Sequence, residues 1–90
     1  MALLDLLGRR WTLRILWELR DEAVNFTELQ TRCEAMSSST LTLRLGELKE
    51  AKLIEQDKNS GHYSLTPEGV ELLKALTPLS EWAQRWAGGF

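Results

Sequence analysis

Ser37–Glu55, SSSTLTLRLGELKEAKLIE, is the stretch that decides the fold of this chain of 90 residues. Ser37 is predicted to cap a helix that runs to Ala51, because a serine hydroxyl at a helix start accepts a bond from an otherwise orphaned amide. Leu41, Leu45 and Leu48 recur at helical spacing and form a core-facing side, with Arg44 at its margin. At about 100° per residue, Ser39, Leu43 and Gly46 fall on the opposite side, flanked by Thr42 and Glu47. What that outer face touches is the functional question.

Working back from Ser37, TELQ reads as a capping box in which Thr27 and Gln30 exchange bonds, opening a short helix to about Glu34. Ala23 to Phe26 is a stub of strand. Trp11 to Arg20 is a helix with Thr12, Ile15, Leu16 and Leu19 on one face and Arg14 and Glu18 on the other. Ala2 to Leu7 makes one or two helical turns, stopped by Gly8. Forward of Glu55, LIEQD and HYSLT are strand-like, and KNSG between them has the Asn and Gly that a tight hairpin uses. TPEG restarts a helix, with Thr66 as cap and Pro67 in the first turn. Thr77-Pro78 repeats that grammar, so the helix is predicted to kink or restart there. Leu79, Trp82 and Trp86 form an apolar stripe before a GGF tail predicted to fray. There is no repeat, linker or low-complexity tract, so residues 1–90 read as a single domain. Helix, helix, strand stub, short helix, longer helix, hairpin, helix is the order of a winged helix-turn-helix. The fold class is therefore mainly α (α+β) with a short β-hairpin wing.

Composition narrows the chemistry. At 43% apolar residues the core is modest, and self-association would add stability. No apolar run approaches the roughly 20 residues of a membrane span, and MALLDLL lacks the basic flank of a secretory signal, so a cytoplasmic protein without a membrane partner is expected. Cys33 is the only cysteine and His62 the only histidine, which excludes an internal disulfide and a standard Cys/His zinc site within one chain. Cys33 shares a face with Leu29 and reads as a half-buried structural thiol. No phosphate-binding glycine loop, nucleophile elbow or metal spacing is present, so neither catalysis nor a cofactor is expected. The net charge is −2. Its distribution matters more: Arg9, Arg10, Arg14 and Arg20 outnumber the acids of the first twenty residues, while the segment from Asp21 to Ala35 is acidic.

The combination LLGRRWTLRILWEL, FTELQ, SSSTLTLRLGELKEAKLIE, YSLTPEG and LSEWAQRW, at these spacings, resembles the HxlR-type family of winged-helix transcriptional regulators, relatives of the MarR group. The resemblance covers nearly the whole chain. It implies a homodimer that binds double-stranded DNA and associates through its terminal helices, bringing Leu3 of the first helix into the interface. It also implies that Ser37–Ala51 is the recognition helix, with Ser38, Ser39, Thr42 and Leu43 near base edges and Arg44 near a phosphate. Lys58 to His62 would form the wing. It supplies neither a cofactor nor a small-molecule effector. Where such helices usually offer Lys, Gln or Arg, this one offers Ser39, Leu43 and Gly46. The wing is short and lacks the arginine that the family often places before the tyrosine of YSLT. The cysteine that redox-sensing members carry ahead of the first helix is absent.

The residues themselves support some of these roles. Leu43 on an outward face can pack on a thymine methyl, and Ser38 and Ser39 can reach phosphates or bases. Arg9 and Arg10 stand before a helix whose first amides also favour anions. Trp11 reads as a core anchor. Trp17 lies off the apolar arc of its helix, and with Leu79, Trp82 and Trp86 it reads as a surface that closes against a second copy. The acidic total and the weak outer face also fit a second reading, a winged-helix module for protein contacts without specific DNA binding.

Overall fold

The computed structural model of the chain describes residues 2–88. In chain order it contains α1 (Ala2–Leu7), α2 (Thr12–Glu18), α3 (Phe26–Arg32), α4 (Ser38–Glu50), β1 (Ile54–Gln56), β2 (Tyr63–Leu65) and α5 (Pro67–Gly88). This is the winged helix-turn-helix order, with α3 and α4 as the helix-turn-helix pair and β1–β2 as the wing.

The core is built where the helical faces meet. Ile15, Leu16 and Leu19 from α2 and its C-cap, Leu29 from α3, and Leu41, Leu45 and Leu48 from α4 are buried with Val24, Cys33, Met36, Ile54 and Tyr63. Each aliphatic or methionine side chain among them contributes about 1.5–3 kcal/mol by leaving water. Ser37 caps α4 as its position predicts, its hydroxyl accepting from the Thr40 amide at 3.2 Å. In the hairpin, β1 and β2 run antiparallel with Ile54 opposite Leu65 and Gln56 opposite Tyr63. Tyr63 also exchanges backbone bonds with Val24 on its other side, at 2.9 and 2.8 Å. The strand stub at Ala23–Phe26 thus reduces to that single bridge.

Four local expectations need correction. The cap of α3 is Asn25, not Thr27: the Asn25 side chain accepts from the Glu28 amide at 2.8 Å. Gln30, the other half of the expected capping box, instead donates to the Met36 carbonyl and the Ser38 hydroxyl. Phe26 packs against the core, which draws the helix start ahead of Thr27. α3 then stops at Arg32 rather than about Glu34, because Glu34 and Ala35 take left-handed φ values of 60° and 56°. At Thr77-Pro78 there is no restart; α5 continues through Pro78. Cys33 is fully rather than half buried, and that burial pushes its thiol pKa up. Trp11 is partly buried against the core, with a left-handed φ of 77° at the N-cap of α2. Of the GGF tail, Gly88 ends α5, and Gly89 and Phe90 lie outside the described residues.

Thr66 joins the wing to α5. Its hydroxyl accepts from the Gly69 amide at 3.1 Å and donates to the Lys52 carbonyl at 2.7 Å, and its amide donates to the Leu53 carbonyl. Gly69 packs so closely on this junction that a Cβ there would stand 2.1 Å from the Leu53 oxygen. Gly46, in the middle of α4, has nothing within 4 Å of the same construction. The same substitution therefore has opposite signs at the two sites. In urea unfolding, Gly69→Ala is expected to lose on the order of 2–4 kcal/mol as a forced overlap in packed backbone. Gly46→Ala is expected to gain about 1 kcal/mol from helix propensity alone.

Candidate nucleic-acid interface

Burial of Leu41, Leu45 and Leu48 fixes the rotation of α4 and turns Ser38, Ser39, Thr42, Leu43 and Gly46 to solvent. Leu43 is 56% exposed. A leucine held that open by its own helix is available to an external apolar group.

The two edges of this face are built differently. Along one edge, Arg44 donates through Nε to the Arg10 carbonyl at 2.8 Å and through a terminal nitrogen to Glu47 at 2.7 Å. Arg9 bonds the other oxygen of Glu47, so the turn between α1 and α2 is fastened to α4. The Arg10 guanidinium lies over the Trp11 ring, 5.5 Å from its centroid. The Arg44 bond, reinforced by both arginine charges, holds the Glu47 carboxyl below the usual glutamate range. Along the other edge, Lys49 reaches the wing, 3.4 Å from Gln56 Oε1 and 5.8 Å from the Tyr63 ring centroid.

The wing tip is an Asx-type turn. Asp57 accepts from the Asn59 and Ser60 amides at 2.7 and 2.8 Å, and these donors hold its carboxyl below the ordinary aspartate value, Ser60 most strongly. Gly61 takes a φ of 76° and donates to the Asp57 carbonyl. Asp57, read from sequence as a strand end, is therefore the residue that shapes the turn. Lys58 is exposed on the tip and His62 is half-buried at its base.

A second surface lies between α2 and α5. Leu13, Trp17, Leu73, Leu76, Leu79 and Ala83 line an open apolar groove of about 320 Å³. Trp17 and Leu79 thus share one face, and Arg20 stacks on the Trp17 ring at 4.0 Å. Trp82 and Trp86 stack on each other with centroids 5.9 Å apart and planes 10° from parallel, each more than half exposed. Leu3 is exposed on α1, outside that groove.

Sequence reasoning missed the convergence of Arg9 and Arg44 on Glu47. The i, i+3 spacing of Arg44 and Glu47 was a visible signal, but the Arg9 contact spans 38 positions and no local pattern encodes it. It also missed Leu13, which stands one helical turn before Trp17 on the groove.

The family described as HxlR-like helix-turn-helix matches residues 6–89. An uncharacterized HTH-type transcriptional regulator of Methanocaldococcus jannaschii is 29% identical, covering 96% of this chain and 83% of its own length. Among solved structures, quinone-bound YodB from Bacillus subtilis is 30% identical, with a TM-score of 0.79 over 99% of this chain and 94% of that one. A possible HxlR family transcriptional factor from Thermoplasma volcanium is 26% identical, with a TM-score of 0.85 over 97% of this chain and 83% of that one. These relatives are described as transcriptional regulators rather than enzymes.

A carboxyl depressed in the folded state adds stability that is complete above its unfolded pKa and is lost as pH falls through the folded value. For Glu47 that loss belongs to the acid limb, below the ordinary glutamate range. Arg44→Ala is expected to return the Glu47 pKa toward its ordinary value in a carboxyl-detected NMR titration. An unmoved titration would mean that Arg9 alone holds it.

Proposed function

The chain belongs to the HxlR-like helix-turn-helix family of transcriptional regulators, and from that premise we propose that it binds duplex DNA in the cytoplasm as a homodimer of one winged-helix domain per chain. The observation that carries this reading is the bare outward face of α4, standing between an arginine edge and the wing. A helix of this size fits the major groove, about 12 Å wide, and the wing then runs beside the phosphate backbone.

In this reading Ser38, Ser39, Thr42 and Leu43 approach base edges, while Arg10, Arg44, Lys58 and His62 face the backbone. The Arg44 side chain is held in position by its Nε bond to the Arg10 carbonyl. The outer face lacks an Arg, Gln or Asn that could make a bidentate pair with a guanine or adenine, each worth about 1–3 kcal/mol of discrimination. Selectivity therefore falls to thymine methyls against Thr42 and Leu43, to DNA shape, and to the spacing of two half-sites in an inverted repeat. That dependence on two half-sites is why the dimer matters.

The dimer reading rests on the exposed apolar surface of α2 and α5. Trp17, Leu79, Trp82 and Trp86 are each between 45% and 58% exposed, a large aromatic surface for so small a chain. Leu3, exposed on α1 outside the groove between α2 and α5, is assigned to the same interface through the family's terminal-helix dimer.

Selection of sites from random duplexes tests binding and yields the operator together. Wild type should bind with an affinity that falls steeply with salt, because phosphate contacts release counterions. Leu43→Glu should abolish binding while leaving the melting temperature nearly unchanged. Wild-type affinity in that variant would mean that α4 faces water or a protein instead of DNA, and absence of salt-dependent duplex binding in wild type would favour the interaction-module reading. For the dimer, light scattering at micromolar concentration should give twice the chain mass for wild type. A variant with Trp82→Glu and Trp86→Glu should lose that doubling, and a wild-type mass of one chain would end the dimer reading.

A further inference from the structure

Glu47 lies where two arginines from distant parts of the chain converge. Arg9 reaches it from the turn between α1 and α2, and Arg44 reaches it from the preceding turn of α4. The Glu47 and Arg44 side chains are only 20% and 17% exposed, whereas Arg9 remains 47% exposed. The carboxylate offers one oxygen to each guanidinium. A backbone phosphodiester presents the same thing to the same donors, two anionic oxygens on one centre.

We propose that Glu47 is an internal phosphate surrogate, filling the Arg9–Arg44 cradle in the free protein so that a DNA phosphate enters only by displacing it. This rests on the DNA-binding reading and assigns Glu47 the role of a brake on phosphate binding. Arg44 and Glu47 stand on the edge of the outward face, beside Leu43 and Gly46. A phosphate flanking the groove entered by α4 meets that edge. Glu47 is not required to hold the turn to α4, because the Arg44 bond to the Arg10 carbonyl does so independently. Its carboxyl, depressed by the arginines, is ionised at neutral pH and competes as an anion.

The consequence is a uniform brake on binding. Displacing Glu47 carries the same cost on every sequence, so it weakens binding wherever phosphate contacts supply the whole affinity. On an operator, the contacts of Thr42 and Leu43 offset that cost.

The test measures affinity of the full chain for a random-sequence duplex and for a selected site, across a salt series, for wild type, Glu47→Gln and Glu47→Asp. Glu47→Gln should bind the random duplex several-fold more tightly, and its plot of log affinity against log salt should steepen by about 0.9, one phosphate's worth. Glu47→Asp keeps the charge but is one methylene shorter, so it should loosen the cradle and bind the random duplex more tightly than wild type. Affinity for the selected site should rise by the same factor, so the ratio of selected to random affinity should hold in both variants. Thermal melts confirm that each is folded, and the aspartate variant, the gentler change, carries the test if the glutamine variant unfolds. Random-duplex affinity in Glu47→Gln equal to or below wild type would make Glu47 a positioning residue and overturn the surrogate role. A gain in Glu47→Gln with Glu47→Asp unchanged would also overturn it, leaving only net charge. Failure of the DNA-binding reading is separate, because wild type alone would then show no salt-dependent binding.

Discussion

Burial of Leu41, Leu45 and Leu48 is the constraint on which the rest of the molecule depends. A helix can hide one stripe of its surface, and once α4 hides these three leucines its rotation about its own axis is determined. The placement of every side chain on α4 follows from that rotation. Leu43 and Gly46 must point away, Arg44 must lie at the edge near the Arg10 carbonyl, and Lys49 must lean toward the wing. A slip of one position would bury Thr42 and Gly46 and expose the leucines, so the interface and the core are set by one packing decision.

The wing and α5 are placed by a second, more local device. Leu53 donates to the Leu48 carbonyl at the end of α4, and its own carbonyl accepts from Thr66 and abuts Gly69. One residue thereby fixes the exit from α4 and the entry to α5. Lys52, just before it, takes a left-handed φ of 63° to make the turn. The short path between these bonds leaves the hairpin little freedom relative to α4.

The elements and their order were legible in the sequence, because periodicity in α2 and α4 and proline and serine at helix starts are local signals. The face of α4 was legible for the same reason. What escaped were choices settled by competition between local signals. Asn25 and Thr27 were both good caps, and Phe26, drawn to the core, decided between them. Thr77-Pro78 carried the signature of a helix start, yet the helix on either side was already formed and the Thr77 hydroxyl bonded to the Leu73 carbonyl instead. At the candidate interface, the outward residues could be read but the arginine cradle could not, since Arg9 meets Glu47 only after α1, α2 and α4 have packed.

Pro78 has a mechanical consequence. It supplies no backbone donor, so the carbonyl of Lys74 loses its helical partner and the α5 backbone is softest at its midpoint. Beyond it lie ten residues, about 15 Å of helix, that carry Trp82 and Trp86. A tilt of about 10° at that point sweeps the far end by roughly 2.6 Å, nearly the rise of one base pair. If two such arms join across a symmetry axis, α5 behaves as a pair of callipers whose opening is adjusted at Pro78.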